Sequence, residues 1–236
     1  MVDAITLRYL SIRYKIDFVM RKAFNRAWTP NFAYAIGLIT TDGSLSSDGR
    51  HIDISSKDKE QLENVLTCLV RNDKISKKKS GMGRISLRIQ FSDVSLYKFL
   101  LKIGLTPNKS KTLGGINIPN EYFFDFLRGH FDGDGTFYSY QDLRWKNSYM
   151  FYLCFVSASK NHIMWLREKI KEALDISGSL TKAKSNSAYQ LKYAKKEAIE
   201  LIEKLYYNHH VVCLSRKRTK ITDILNAIED MHARVL

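Results

Sequence analysis

The chain has 236 residues, 44% hydrophobic and 26% charged, and its 38 lysines and arginines against 24 acids give a net charge of +14. This length suits one large domain or two smaller ones, and the apolar fraction excludes wholesale disorder. The sequence has no apolar run long enough for a membrane span. Three scattered cysteines without a CxxC pair exclude a disulfide framework and favour a reducing compartment.

The positive charge is the first functional indication, because lysine and arginine contacts to phosphate release condensed counterions. It favours a nucleic-acid partner over a basic protein with only a solvated surface. The first 24 residues alternate apolar and basic side chains without a signal-peptide core. An organellar transit sequence and a helix lying on the protein body or on DNA both fit that pattern. We therefore expect an intracellular protein, in bacterial cytoplasm or an organelle matrix and not secreted, with no membrane association.

The first predicted helix has a clear beginning and end. Thr29 can cap its first amides, and Pro30 suits the first helical position. The helix is predicted over residues 31–41 and stops at Asp42-Gly43. The following elements are strands over 44–48 and 51–55, a helix over 58–70, a basic turn over 77–81, a strand in which residues 85, 87, 89 and 91 face the core, and a helix over 94–103.

The same order of elements then starts again after a polar stretch. The predicted elements are a helix over 121–133, strands over 136–143 and 148–157, a helix over 161–174, strands over 179–184 and 188–194, a helix over 195–207 and a last helix to about residue 231. Residues 32–44 align with residues 124–136 at an offset of 92, which places Asp42 on Asp134. The predicted divisions are an N-terminal extension (1–28), a first repeat (29–105), a linker (106–119), a second repeat (120–207) and a basic C-terminal tail (208–236).

The aligned helices have small residues on one face. Gly37 follows Ala33 by four positions, as Gly133 follows Gly129, and residues four apart share a helix face. Such a face lets two helices approach closely, so the repeats are expected to pack about a pseudo-twofold axis with their helix ends together. Asp42 and Asp134 would then converge and require a hard divalent cation such as Mg²⁺ between them. A single Asp-Gly is an ordinary turn, but two copies in matched contexts favour a functional role.

The segments AIGLITTDG (35–43) and LRGHFDGDG (127–135) resemble the paired signature of the LAGLIDADG homing endonucleases. The resemblance extends over about residues 29–220. It implies an α+β fold of two pseudo-symmetric αββαββα repeats with saddle-shaped antiparallel sheets that lie along the DNA major groove. It also implies a site-specific endonuclease that hydrolyses both strands of a long duplex across the minor groove and leaves short 3′ overhangs.

The resemblance also implies the site residues. The last acid of each motif, Asp42 and Asp134, is expected to bind Mg²⁺, aided by the preceding carbonyls of Thr41 and Gly133. Mn²⁺ is expected to substitute, and Ca²⁺ to bind without supporting cleavage. Paired metals suit phosphodiester hydrolysis, since they activate water and neutralise charge on the attacking and leaving oxygens. The sixth motif position differs between the copies, being Thr40 in the first and Asp132 in the second.

A basic side chain near the scissile phosphate is the usual companion in such sites. In the family a Lys or Gln often lies where the second strand meets the next helix. Lys57 and Lys160 are the candidates here, and solvated lysines at helix starts are the alternative. The polar sides of the predicted strands are candidates for base contacts; these residues are Arg84, Ser86, Arg88, Gln90, Gln190 and Lys192.

The basic residues of turns and tail suit phosphate contacts that position a protein without specifying sequence; they include Lys77–Lys79, Lys109, Lys111 and residues 216–220. We expect a monomer with duplex DNA as its partner. Two alternatives on the same scaffold stay open, an intron RNA maturase and a DNA-binding regulator that has lost cleavage. Both acids are present, which favours the nuclease.

Overall fold

A computed structural model describes residues 27–79, 83, 85–141, 149–182 and 188–233. The helices of this part are α1 (Pro30–Asp42), α2 (Lys59–Cys68), α3 (Val94–Lys102), α4 (Phe123–Asp134), α5 (Lys160–Leu174), α6 (Lys195–Leu205) and α7 (Ser215–Ala233). The strands are β1 (Gly43–Leu45), β2 (His51–Ser56), β3 (Ser76–Lys79), β4 (Ile85–Ser92), β5 (Thr136–Gln141), β6 (Tyr149–Ser157), β7 (Ser179–Lys182) and β8 (Tyr189–Ala194). Short 3₁₀ turns lie at Lys109–Lys111 and Asn120–Tyr122.

The strands form two antiparallel sheets of identical topology, in the orders β1-β2-β4-β3 and β5-β6-β8-β7. Each repeat has the order αββαββα, so the predicted α+β fold is confirmed. One local prediction was wrong, because residues 77–79, expected in a turn, belong to edge strand β3. Lysines are frequent on exposed edges because their charge discourages pairing with another chain, and this polar composition hid the strand.

Alternate residues of the central strands separate a core face from an outward face in each sheet. Ile52 and Ile54 of β2, like Leu191 and Tyr193 of β8, are fully buried, while their neighbours along each strand are only half-buried. This two-residue period is that of a strand with helices on one side. Among the described helices, none has the length and apolarity needed to cross a bilayer.

Helices α1 and α4 pack together at the centre of the molecule, and α1 is built as the sequence predicts. Thr29 accepts a hydrogen bond from the Phe32 amide at 3.1 Å, and Pro30 is the first helical residue. The helices meet at glycines, since a methyl group built on Gly37 would lie 2.6 Å from the His130 backbone nitrogen. Only a residue without a side chain allows this approach of two backbones.

Gly129→Ala is expected to lower the free energy of unfolding by about 3 kcal/mol or more. The added methyl would overlap the backbone carbonyl of Tyr34, which cannot rotate away as a side chain could. Urea denaturation measures the effect. Gly114→Ala is the control, because its methyl would have no atom within 4 Å, and its expected change is below about 1 kcal/mol. Equal stabilities of the two variants would contradict the packing.

The segment that follows α6 lies against the first repeat. The Ser215 amide donates to both carboxylate oxygens of Glu60, at 3.1 and 3.2 Å, and Arg216 Nε pairs with Asp58 Oδ2 at 2.6 Å. Asn64 Nδ2 of α2 donates to the Cys213 carbonyl at 3.0 Å. The start of α7 is therefore fixed to α2, although it follows the second repeat in sequence.

The same segment is also anchored on the second motif helix. The fully buried guanidinium of Arg128 donates to the Val212 carbonyl at 2.9 Å, to the Leu205 carbonyl at 3.1 Å and to Asp125 Oδ1 at 2.8 Å. Three partners compensate for the loss of water around this charge. Residues 205–217 thus bridge the two repeats.

Candidate active site

The ends of α1 and α4 bring Asp42 and Asp134 together. Each acid is the last residue of its helix. Gly133 packs against Thr41, and a methyl built on Gly133 would lie 2.8 Å from Asp42 Oδ2. The charge of Asp42 also raises the pKa of Asp134. Two carboxylates in electrostatic contact at the pseudo-twofold axis are the geometry predicted from the repeat.

Asp42 receives hydrogen bonds from two side chains. Gln61 Nε2 of α2 donates to Asp42 Oδ2 at 2.6 Å, and Thr41 Oγ1 donates at 3.3 Å. Ser56 Oγ donates to Gln61 Oε1 at 2.9 Å, which orients the amide with its N–H toward Asp42. Burial raises the pKa of Asp42, and these hydrogen bonds act against that rise.

Asp134 has a different environment. No hydrogen bond from the described residues reaches its carboxylate. Desolvation by the surrounding protein, the larger effect, and the charge of Asp42 raise the pKa of Asp134 to about 6, although the residue keeps exposed surface. The carboxylate therefore has lone pairs available for a cation.

Among the residues that the structure describes, none in the second repeat takes the place of Gln61 beside Asp134. Gln61 is the third residue of α2, and the third residue of α5 is His162. His162 is buried, with Nδ1 2.8 Å from the Gly114 carbonyl and Nε2 3.1 Å from His130 Nε2. Burial lowers its pKa to about 4, so it is neutral at pH 7. The two acids consequently differ in their supporting side chains.

Two buried lysines lie beside the acids in equivalent positions. Lys109 Nζ donates to the Gly43 carbonyl, and Lys217 Nζ donates to the Gly135 carbonyl at 2.7 Å. Gly43 and Gly135 are equivalent residues of the two motifs, each directly after its acid. Lys217 Nζ also donates to the Phe131 carbonyl at 2.6 Å. Each acid is therefore followed by a glycine whose carbonyl accepts a hydrogen bond from a buried lysine.

Burial lowers the pKa of each of these lysines to about 8. Asp42 and Asp134 oppose that shift at Lys109, and Asp132 is the largest opposing influence at Lys217. Both lysines are mainly protonated at pH 7, so two positive charges accompany the two acids. Their sequence context, in a turn and in the basic tail, did not indicate that both side chains are buried.

The structure gives a reason for the unequal sixth motif positions. Asp132 is fully buried, and its Oδ2 accepts from Tyr34 Oη at 2.8 Å and from the Leu214 amide at 2.7 Å. Burial raises the pKa of Asp132 to about 6. Thr40 instead donates to the Ile36 carbonyl of its own helix at 2.7 Å. Asp132 thus fixes the backbone at Leu214, three residues before Lys217, whereas Thr40 at the same motif position bonds within its own helix.

Lys57 and Lys160 have different places in the two repeats. Lys57 precedes the helix cap Asp58, whereas Lys160 follows the cap Ser159 and is the first residue of α5. Both lysines are exposed. No hydrogen bond or ion pair from the described residues connects Lys160 to Asp134. Lys57 lines an open cleft of about 560 Å³ whose other residues are Asp42, Ser56, Asp58, Lys59, Gln61, Gly133 and Arg216.

The predicted base-contact residues that the structure describes lie on the outward faces of the sheets; they are Ser86, Arg88, Gln90, Gln190 and Lys192. Arg84 lies outside the described residues. Arg88 Nη1 pairs with Asp53 Oδ2 at 3.3 Å, and Lys78 Nζ pairs with Asp53 Oδ1 at 3.2 Å. Asp53, missed in the sequence, therefore organises the charged groups of the first outward face.

The fold of two αββαββα repeats around paired motif helices is the one that the resemblance to LAGLIDADG proteins predicts. Residues 29–104 match the family model described as a LAGLIDADG-like domain, which corresponds to the first repeat. The resemblance predicted from the two motifs is thereby confirmed. No curated protein sequence matches the chain significantly.

Solved structures show the same fold over most of the chain. I-SmaMI, bound to an uncleaved DNA target in the presence of calcium ions, is 15% identical, with 88% of this chain and 93% of that chain covered at a TM-score of 0.57. I-LtrWI bound to target DNA is 15% identical, with coverages of 86% and 91% and a TM-score of 0.55. The N-terminal LAGLIDADG domain of WhiA is 16% identical, with coverages of 78% and 85% and a TM-score of 0.51. At these identities the likeness establishes the fold, and the activity has to be argued from the site.

Proposed function

We propose that the chain is a site-specific DNA endonuclease that hydrolyses both strands of a long duplex with a divalent metal and leaves short 3′ overhangs. The supporting observation is the duplicated pair of an acid and a buried lysine at the end of each motif helix. Two chemically similar half-sites suit the two strands of a duplex, which are themselves related by twofold symmetry. One chain contains both halves, and we propose that it acts as a monomer.

The donor set fits a hard cation. Asp42 and Asp134 supply carboxylate oxygens, and the Thr41 and Gly133 carbonyls precede them in the chain. Mg²⁺ typically uses one or two carboxylates and keeps several waters, which suits two acids beside an open cleft. Such an ion would supply an activated water and neutralise charge at the scissile phosphate. We propose Mg²⁺, with Mn²⁺ as a substitute and Ca²⁺ as a binding but inactive ion.

The chain's own residues have distinct tasks in this proposal. Lys109 and Lys217 hold positive charge in the centre, where a scissile phosphate and its developing charge would lie. Gln61, oriented by Ser56, holds the Asp42 carboxylate in place. We keep Lys57 as a candidate for positioning water or phosphate because it lines the Asp42 cleft. Lys160 remains a candidate of the second half without a described contact to Asp134.

Duplex DNA is the proposed partner. The structures of I-SmaMI and I-LtrWI were obtained with DNA, and the net charge of +14 suits a polyanion. Intron homing would be the biological context of such an enzyme. An intracellular compartment, bacterial cytoplasm or organelle matrix, accords with three free cysteines. The maturase and the non-cleaving regulator remain alternatives that no contact in the site favours.

Cleavage selection from a randomised duplex library with Mg²⁺ tests the proposal. We expect enrichment of one long, asymmetric site cut on both strands with 3′ overhangs. Parallel selection with Ca²⁺ isolates bound but uncut DNA as the control. Specific binding without any cutting in Mg²⁺ or Mn²⁺ would contradict the nuclease and support the regulator.

A further inference from the structure

The outward face of the second sheet has a cluster of aromatic side chains. Along β5, Phe137 faces the core and is 3% exposed, so Tyr138 and Tyr140 lie on the opposite face. Tyr152 of β6 is paired with Tyr138 and lies on that same face. Its ring centroid is 5.3 Å from that of Tyr138 and 6.2 Å from that of Tyr140, with interplanar angles of 20° and 12°. We call these three residues the tyrosine ridge.

The equivalent face of the first sheet has different chemistry. Its central strands present Asp53, Ser55, Arg88 and Gln90, and Asp53 pairs with both Arg88 and Lys78. These groups are donors and acceptors of the kind that pair with base edges. On the second face, Lys192 of β8 is the one charged side chain among the described strand residues. It lies opposite Cys154 of β6 in the strand register.

The difference matters for which bases each sheet can accept. In the major groove an A·T pair and a G·C pair each expose three hydrogen-bonding groups, all of which lose water when protein covers them. The stacked ring faces replace few of those hydrogen bonds in either pair, so this cost of burial does not distinguish the two. Thymine adds a C5 methyl group that a G·C pair lacks, and apolar contact with this methyl is favourable. The ridge therefore suits A·T pairs.

We propose that the second sheet recognises a thymine-rich half of the target by packing the tyrosine ridge on thymine methyl groups, while the first sheet recognises its half through hydrogen bonds. This inference rests on the part of the proposed function that places duplex DNA on the two sheets. It does not depend on cleavage. It predicts a target whose two halves differ in composition as the two faces differ in chemistry.

The test is a binding experiment on the whole chain. Selection in Ca²⁺ from a random duplex library, repeated for Tyr140→Ser, assigns the half-site of the second sheet as the one whose base preferences change. Tyr140 is 46% exposed, so this variant keeps the core. In the selected duplex each thymine of that half is replaced by deoxyuridine, which removes only the methyl group. We expect affinity to fall about fourfold for each contacted methyl.

A double-mutant cycle separates direct contact between the tyrosine ridge and a thymine methyl from general effects on DNA affinity. In Tyr140→Ser, replacing the contacted thymine by deoxyuridine is expected to leave DNA affinity nearly unchanged. Gln90→Ala, on the first sheet, is the matched control and should leave that loss unchanged. A G·C-rich second half, equal affinities for thymine and deoxyuridine, or unchanged preferences in Tyr140→Ser would overturn the inference. Failure to cut would count against the nuclease alone, because affinity is measured without cleavage.

Discussion

Asp42→Asn and Asp134→Asn are each expected to reduce double-strand cleavage by at least about 100-fold. Asparagine keeps the shape of the acid and removes the negative charge that would hold a divalent cation. Site binding should stay within a few-fold of wild type, because neither acid belongs to the outward faces of the sheets. Single-turnover cleavage of an end-labelled duplex with Mg²⁺ measures each strand separately. Cleavage at the wild-type rate by either variant would contradict the active-site assignment.

The same substitutions are expected to stabilise the metal-free protein. Asp134 has a folded-state pKa of about 6, above its usual value of 3.8, so its contribution to stability is lost as pH rises from about 4 to 6. At pH 7 in EDTA, Asp134→Asn should raise the melting temperature by roughly 2 °C. Thermal denaturation between pH 4 and pH 7 checks the slope. Asp132, whose pKa is also raised to about 6, stays in the variant, so part of the decrease in stability with rising pH remains.

Lys109→Met and Lys217→Met are the next most damaging changes that we expect. Each removes a buried positive charge and should slow single-turnover cleavage by about 100-fold. Methionine retains the volume of the side chain, so the fold and DNA affinity should persist. The two lysines have pKa values of about 8. The wild-type rate should therefore fall above about pH 8 as they lose protons, and the double variant should lack that fall.

Exposed lysines near each site are the matched controls. Lys111 lies two residues after Lys109, and Lys220 lies three residues after Lys217, both with exposed side chains. Methionine at either control position should change cleavage by less than about threefold, because exposed charges are screened by salt. If the controls and the buried lysines had equal effects, the lysines would act through general attraction of DNA and not at the scissile phosphate.

Much of the fold and half of the site can be predicted from the sequence. The offset of 92 residues and the Asp-Gly helix ends identify the repeats, the motif helices and the two acids. Thr29 and Pro30 define the start of α1 because capping is local chemistry. The alternation in β4 defines a core face because strands have a period of two. Each of these features is encoded over a few neighbouring residues.

The other half of the site depends on tertiary contacts that leave no local signal. Lys217 lies between Arg216 and Arg218, and all three have the same basic pattern in sequence, yet only Lys217 is buried. Lys109 lies in the stretch expected to be a linker. The two lysines are separated by 108 residues and not by 92, so the repeat does not align them. Gln61 is an ordinary polar residue of α2 until the fold places it 2.6 Å from Asp42.

The bridging segment 205–217 has a consequence for anyone who exchanges the halves of this protein. The lysine of the second half-site lies on a stretch that is anchored on both repeats, and its contacts with the first repeat include the ion pair to Asp58 and the hydrogen bonds to Glu60. A chimaera joined between the repeats would keep both acids but would mismatch the anchor of one lysine. Half-site exchange should therefore succeed only when Asp58 and Glu60 are co-designed with residues 215–216. The part of the chain that has to be exchanged together is therefore larger than one sequence repeat.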